Sequence, residues 1–332
     1  MCWRFQCPPG AGGGVFRTLH GAARWGILIR VREDELTSWC RRHLDGEPAE
    51  VLFRLESIST VFGLRLGDGR NVVVKSRPGE GRAAACVAAQ EWLARQGFPC
   101  ARPLTPVVAV GAFDVHAEEF RPGGEMLRGD SPEVAVRYAA VFAWLMSELA
   151  GLVVPPPLPN PRWVRWDHGD PGLWPVIPFL DERDQSVVPD HVVETAVRAR
   201  QRLLAADLPC VLGHGDFEAQ NLRWHGDEIW AVHDWDSLTW QPEAALAGAA
   251  SGTFASAGPP TLPPIESSEA FLQAYQRIRQ RPFTVEEREV AWAASVWPAA
   301  HNARWEALHG DPPVCGEPLR VQAAERLRRA GA

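Results

Sequence analysis

Apolar positions along the chain follow two rhythms that meet at Arg121-Pro122-Gly123-Gly124. Ahead of that junction, Val31, Leu36, Trp39, Cys40 and Leu44 have the spacing of a short helix. Extended runs follow at 51–56, 61–66 and 71–76, and Gly67-Asp68-Gly69-Arg70 supplies hairpin-turn chemistry between the second and third. The alanine-rich segment 82–96 predicts a helix that Gly97 and Pro99 stop. Two more extended runs, 104–110 and 115–120, lead into the junction. This part reads as a small antiparallel sheet with one helix.

Beyond the junction helices take over. Val134, Val136, Tyr138, Val141, Phe142, Leu145 and Leu149 mark a long one over 132–150, opened by Ser131-Pro132 at the cap and first-turn positions. Residues 153–178 are rich in Pro and Trp and carry no period. Further helices are expected near 190–206, 242–255, 267–280, 284–308 and 317–330. The stretch 211–240 interrupts them with two short alternating segments, 221–224 and 229–233, around a Gly-Asp turn, which predicts a hairpin.

Composition narrows the class. At 332 residues, 46% hydrophobic and 23% charged, the chain has material for about two domains and a sizeable core. A net charge of −7 argues against a general nucleic-acid binder. No apolar run approaches the length of a membrane span. The seven cysteines are scattered and contain no C-x-x-C pair, which points to a reducing cytoplasm rather than a zinc site or disulfide framework. Residues 1–30 contain no acid and read as a loose extension. The expected organisation is that extension, a small lobe over 31–121 and a large helical lobe over 122–332. Residues 1–121 carry 16 basic and 13 acidic groups, and residues 122–332 carry 18 and 28. That split suits an anionic cofactor on one side and a cationic acceptor on the other; an ordinary solvated acidic surface is the plainer reading.

One residue stands out by rarity. Lys75 is the single lysine among 34 basic residues, the rest being arginine. A site that needs a compact ammonium instead of a planar guanidinium would keep it so.

The richest chemistry lies in Gly213-His214-Gly215-Asp216-Phe217-Glu218-Ala219-Gln220-Asn221, followed by the hairpin and His233-Asp234-Trp235-Asp236. Pairing about the turn sets Asn221 roughly opposite Asp234, so two oxygen donors meet at the open end of the hairpin. Mg2+ takes one or two protein oxygens plus substrate phosphates. Asn221 and Asp234 suit that share, and Asp216, in the preceding loop, is left to deprotonate an acceptor hydroxyl.

His214-Gly215-Asp216-x-x-x-x-Asn221, a hydrophobic strand and Asp234 together resemble the aminoglycoside phosphotransferases, small-molecule relatives of the protein kinases. The resemblance implies an α+β, protein-kinase-like two-lobed fold. It makes Asp216 the catalytic base and Asn221 and Asp234 the Mg2+ ligands, with ATP or GTP as donor and His214 a structural residue of the loop. Lys75, closing Val72-Val73-Val74-Lys75, matches the phosphate-binding lysine. Ser57, Ser59 and Thr60 stand where this family carries a serine-bearing loop over the phosphates, and Glu118 to Arg121 would form the connector that meets the base. One feature departs from the pattern. The small-lobe helix should carry a glutamate for the lysine near Cys86, and none is there; Glu80 and Glu91 are the nearest acids.

Other residues admit two readings. His225 and His233 could hold a metal, although their spacing is not a zinc pattern and favours structural placement. Asp236 is either an auxiliary metal-site acid or a local surface acid. Trp163, Trp166 and Trp174 either stack on a sugar or cationic acceptor or pin their loop to the helical lobe, while Trp292, Trp297 and Trp305 have core spacing. Three functions follow: a kinase for an aminoglycoside-like antibiotic, a kinase for another small metabolite, and a nucleotide-binding protein of the same fold with little or no catalysis.

Overall fold

The sheet of the small lobe has five antiparallel strands in the order β1-β2-β3-β5-β4. The structure, a computed structural model, describes residues 32–56, 59–256 and 261–332; the extension 1–30 and Ser57 lie outside these residues. Helix α1 (Glu33–Leu44) is followed by β1 (Pro48–Glu56), β2 (Thr60–Leu66) and β3 (Asn71–Pro78), then α2 (Ala83–Arg95), β4 (Val108–Val110) and β5 (Phe113–Glu119). The predicted run at 104–110 is therefore mostly loop, tied to β5 before β4 begins by a bridge from Pro103 to Glu118 and by Leu104 N–H, which donates to Ala117 O at 2.8 Å.

Side chains alternate across a strand, so the core contacts of one face name the other. Phe62, Leu64, Leu66, Val72, Val74, Val115 and Ala117 pack with Leu36, Trp39, Cys40 and Leu44 of α1. The opposite face then presents Gly63 from β2, Val73, Lys75 and Arg77 from β3, and His116 and Glu118 from β5. Gly63 has a steric reason: a Cβ there would sit 2.1 Å from the ring of Phe53, which covers it. Phe53 in turn lies 6.1 Å, centroid to centroid, from Phe120 at the start of the connector.

Helix α2 belongs to the other body by its packing. Cys86, Ala89 and Leu93 join the large core formed by the helices α3 (Pro132–Leu149), α5 (Asp190–Leu204), α6 (Glu243–Thr253), α7 (Ile265–Ile278), α8 (Val285–His309) and α9 (Gly316–Arg329), with the single turn α4 (Pro178–Asp181) between α3 and α5. Ser131 caps α3 through Val134, and Thr284 and Glu287 form a reciprocal box at the start of α8. Gly248 and Gly252 let α6 lie directly on α8: a Cβ at either would fall 2.1 Å from the carbonyl oxygen of Ala291 or Ser295. Pro298 lies within α8 and has no N–H to give the Ala294 carbonyl one turn earlier.

Two short ribbons carry the 211–240 stretch. β6 (Cys210–His214) pairs with β9 (Leu238–Pro242), and nested between them β7 (Leu222–His225) pairs with β8 (Glu228–Val232). The inner ribbon is the predicted hairpin; the outer one is additional. This nesting sets the β6–β7 loop and the β8–β9 loop side by side. No helix among the described residues is long and apolar enough to cross a membrane.

Candidate active site

Asp216 leaves β6 in a loop held from two directions. Gly215 N–H donates to Ser237 O at 2.8 Å, and Asp216 N–H donates to His214 Nδ1 at 3.2 Å. Since Nδ1 accepts, the ring proton sits on Nε2, which donates to His233 O at 3.1 Å. Burial pushes the His214 pKa down, although the Asp234 carboxylate pulls the other way. His214 is thus a neutral strut tying the Asp216 loop to the Asp234 loop.

Asn221 is fully buried, and its Nδ2 donates to Asp216 O at 2.8 Å and to Asp216 Oδ2 at 3.2 Å. Its Oδ1 has no partner. A buried amide that spends its donor on the neighbouring carboxylate and leaves its oxygen unmatched has an acceptor that a cation could use. His233 N–H donates to Asn221 O at 2.8 Å, so the backbone register brings Asn221 beside the residue before Asp234. Asp234 adopts φ 62°, ψ 51°, left-handed backbone rare outside glycine, and its Oδ2 accepts from Ser237 Oγ at 3.0 Å. The turn is pinned by Trp235, whose ring packs 5.5 Å from His214 and 6.0 Å from Phe98. Asn221 Oδ1 and the Asp234 carboxylate are hard oxygen donors, and they fit a magnesium ion shared with phosphates.

The opposite wall comes from the sheet. Lys75 Nζ lies 3.0 Å from Glu118 Oε1, both side chains buried. Gln90 of α2 donates to Glu118 Oε2 at 2.8 Å and also to Ala101 O at 2.8 Å. The lysine's acid is therefore on β5, and the helix supplies a neutral amide behind it. Neither Glu80 nor Glu91 takes that part; Glu91 pairs with Arg95 on its own helix. Glu118 also cannot be counted in the connector, which begins past Glu119. Burial would raise the Glu118 pKa, but the Lys75 ammonium and the side chains around it hold it well below the usual carboxylate range. Next along β3 on this face, Arg77 contacts His116 Nδ1 and forms an ion pair with Asp236. Asp236 is thus a bridge between lobes, and it brings the wall bearing Lys75 against the turn bearing Asp234.

Thr60 stands opposite Ser76 in the β2–β3 register and Glu56 in the β1–β2 register, one position from the Val61–Lys75 pair. Ser59 immediately precedes it. Both lie at the strand end that holds Lys75. His225 packs against Trp230 at 4.7 Å, and His233, held near pKa 4 by burial and then by Arg223, is neutral. Among the described residues no group of three His, Cys, Asp or Glu is placed to hold a metal.

On the far side of Asp216 lies a pocket walled by Trp163, Trp166, Glu218, Ala249, Trp297 and His301. Burial raises the Asp216 pKa well above the normal range, with Glu218 adding to the effect, and Glu218 is itself raised by burial. His301 is driven down to about 3, by burial first and then Arg304. Because His301 stays neutral when folded and takes a proton below about pH 6.5 when unfolded, acid favours the unfolded chain. The unfolding free energy of the wild type, relative to a His301→Gln variant, should fall by about 1.4 kcal/mol per pH unit below pH 6.5. Denaturant melts from pH 7 to 5 measure this, and a pH-independent gap would contradict the buried, neutral ring.

Sequence reasoning missed Gln90, Arg77, Glu218 and His301, and it placed Glu118 in the connector rather than against Lys75. His116 and Glu118 alternate with Val115 and Ala117, a strand pattern with charge on a buried face that could have signalled a site.

The fold is that of the kinase-like phosphotransferases. A microcompartment-associated aminopropanol kinase is similar with TM-score 0.57 and 14% identity, covering 89% of this chain and 94% of its own. The amicoumacin kinase hAmiN, solved with AMP-PNP, Ca2+ and Ami, gives TM-score 0.55 and 13% identity over 86% and 89%. Spectinomycin phosphotransferase APH(9)-Ia, solved with ADP and its antibiotic, gives 0.51 and 12% over 89% and 98%. No curated protein matches the chain. The family model APH, the phosphotransferase enzyme family, matches residues 51–276. The chain belongs to that family.

Proposed function

We propose that this protein transfers the terminal phosphoryl group of ATP or GTP to a hydroxyl of a small molecule. The observation that carries the reading is the position of Asp216: its carboxylate is held by Asn221 on one side and lines the pocket on the other. The nucleotide occupies the cleft, its base near Phe53 and Phe120, with Lys75 on the phosphates and Ser59 and Thr60 covering them; Ser57 belongs to the same loop in sequence. Asn221 and Asp234 hold Mg2+, which neutralises phosphate charge when bound. Asp216 takes the proton of the acceptor hydroxyl as its oxygen attacks the terminal phosphorus, and the bond to the departing diphosphate breaks. Positioning and charge neutralisation supply most of the rate, since the phosphoryl transition state is loose.

Residues 31–121 form the nucleotide lobe in this reading and 122–332 the acceptor lobe. The five described cysteines are free, which suits a reducing cytoplasm. A nucleotide-binding protein without turnover drew its support from the missing helix glutamate; the Lys75–Glu118 pair weakens that ground. The test is phosphoryl transfer from labelled ATP and GTP to a panel of hydroxylated amines, sugars and antibiotics. Transfer by the wild type and its loss in Asp216→Asn support the reading; a folded, nucleotide-bound wild type inert toward the whole panel counts against it.

A further inference from the structure

A single line of side chains joins the two walls of the cleft. Lys75 and Arg77 share one face of β3, about 7 Å from each other along the strand. Asp234 and Asp236 are spaced in the same way in the β8–β9 turn. Arg77 pairs with Asp236, so Lys75 on one wall and Asp234 on the other each lie two positions from a member of one largely buried ion pair. Among the described residues no other ion pair ties the sheet to that turn. The second prong of the guanidinium meets His116 Nδ1. An arginine only donates, so Nδ1 accepts and the ring proton sits on Nε2, 3.7 Å from Glu118 Oε2. Burial first, and then Arg77, bring the His116 pKa down to about 4, so the ring is neutral. Glu118 in turn holds Lys75. The path therefore runs from the turn of Asp234 through Asp236, Arg77, His116 and Glu118 to Lys75.

Both ends of that path have a use for it. The left-handed backbone of Asp234 persists only where its surroundings fix it. Ser237 bonds back to Asp234 through Oγ and through N–H at 3.0 Å, contacts within the turn itself, and Gly215 ties the turn to the helical lobe. Asp236 is what ties it to the sheet. Arg77 carries its own cost, because its Nε–H is buried without a partner, which an apolar side chain filling the same space would avoid. What the arginine adds is a planar fork that reaches an acid and a ring nitrogen at once, whereas the ammonium of Lys75 is a point charge. We infer that Arg77 and Asp236 are positioning residues that couple the phosphate site at Lys75 to the metal site at Asp234, so that the affinity a nucleotide gains from Mg2+ depends on their pair. This rests on Lys75 meeting the phosphates and on Asn221 and Asp234 holding the metal ion.

Titration calorimetry of the full chain with AMP-PNP, in the presence and absence of Mg2+, reads the coupling without requiring turnover. Asp236→Asn should lower the gain from Mg2+ by about tenfold, within the span of couplings between sites, and should change metal-free binding much less. The same substitution strands the Arg77 charge and lowers stability. Arg77→Gln combined with Asp236→Asn removes both charges; it should regain most of that stability while its gain from Mg2+ stays as low as in the single variant. A pair that served stability alone would recover both together. Recovery of both, a wild-type gain in either folded variant, equal weakening of metal-free and metal-bound nucleotide, or a wild type with no gain at all would overturn the inference. Should neither variant fold, Arg77→Lys decides: it keeps the charge and loses the fork, so part of the gain should go, and an unchanged gain there overturns the inference too. The reaction is read apart from this. Phosphoryl transfer intact with an unchanged gain in the variants rejects the coupling and leaves the reaction standing, while a lowered gain in a protein inert toward the whole panel does the reverse.

Discussion

Asp216→Asn is expected to lower kcat by about 10²- to 10⁴-fold, the range a positioned general base contributes. The substitution keeps the shape of the side chain and the room it occupies beside Asn221. It removes the proton acceptor at the one point where the loop between β6 and β7 meets the pocket. Nucleotide affinity should change little, because the cleft contacts assigned to phosphate lie with Lys75, Asn221 and Asp234. Steady-state kinetics with an acceptor identified from the panel, together with calorimetry of Mg-AMP-PNP, separates the two quantities. A variant with kcat near that of the wild type would remove Asp216 from the base's role. Loss of nucleotide binding in step with kcat would instead place this carboxylate among the phosphate and metal contacts.

Glu118→Gln is the second large effect, and it acts on the sheet wall. The Lys75 ammonium, 3.0 Å from Glu118 and nearly buried, would be left without its acid. Breaking a buried pair from one side costs about 3–5 kcal/mol. The loss should appear as a lowered midpoint in denaturant and as a raised KM for nucleotide. The neighbouring amide allows a sharper experiment. Gln90 already touches Glu118 Oε2 at 2.8 Å, so exchanging the two groups in Gln90→Glu with Glu118→Gln moves the acid onto α2 while conserving charge and volume. Recovery of a substantial part of the lost stability and nucleotide affinity is expected in the exchange variant. A double variant as impaired as the two single changes added together would mean that the carboxylate must stand on β5.

These effects bear on what a single chain discloses. Asp216, Asn221 and Asp234 were legible because they lie within one short stretch, where the spacing of a loop and a hairpin fixes their relation locally. Lys75 was legible by rarity, in a chain that otherwise uses arginine for positive charge. Its partner was not. Glu118 is distant in sequence and meets Lys75 only through the β3–β5 register, which places Val73 opposite Glu118 and lets the lysine reach across. No periodicity within either strand contains that fact. Gln90 was hidden by the alanine-rich helix around it, since an amide in a helix signals little until its neighbours are known.

The same division holds in the helical lobe. Its helices were readable because sustained apolar spacing and a cap such as Ser131 mark them, and their ends moved by no more than a few residues. The outer ribbon, β6 with β9, escaped because two five-residue strands separated by a whole hairpin carry no turn signal of their own. Trp297 was read as core, and it is buried, yet it also walls the pocket. Trp174 packs 5.5 Å from Trp297 and 5.7 Å from His301, which is the pinning of the loop onto α8. Trp163 and Trp166 reach the pocket itself, a distinction that helical spacing elsewhere could not make.

The central claim is that one metal-bound triphosphate bridges the sheet wall and the β8–β9 turn. Titration calorimetry of AMP-PNP with and without Mg2+, on the wild type and on Asp234→Asn, tests it most directly. The account predicts tighter binding with Mg2+ in the wild type and the loss of most of that gain in the variant. A gain from Mg2+ that survives intact in a folded Asp234→Asn protein would contradict it.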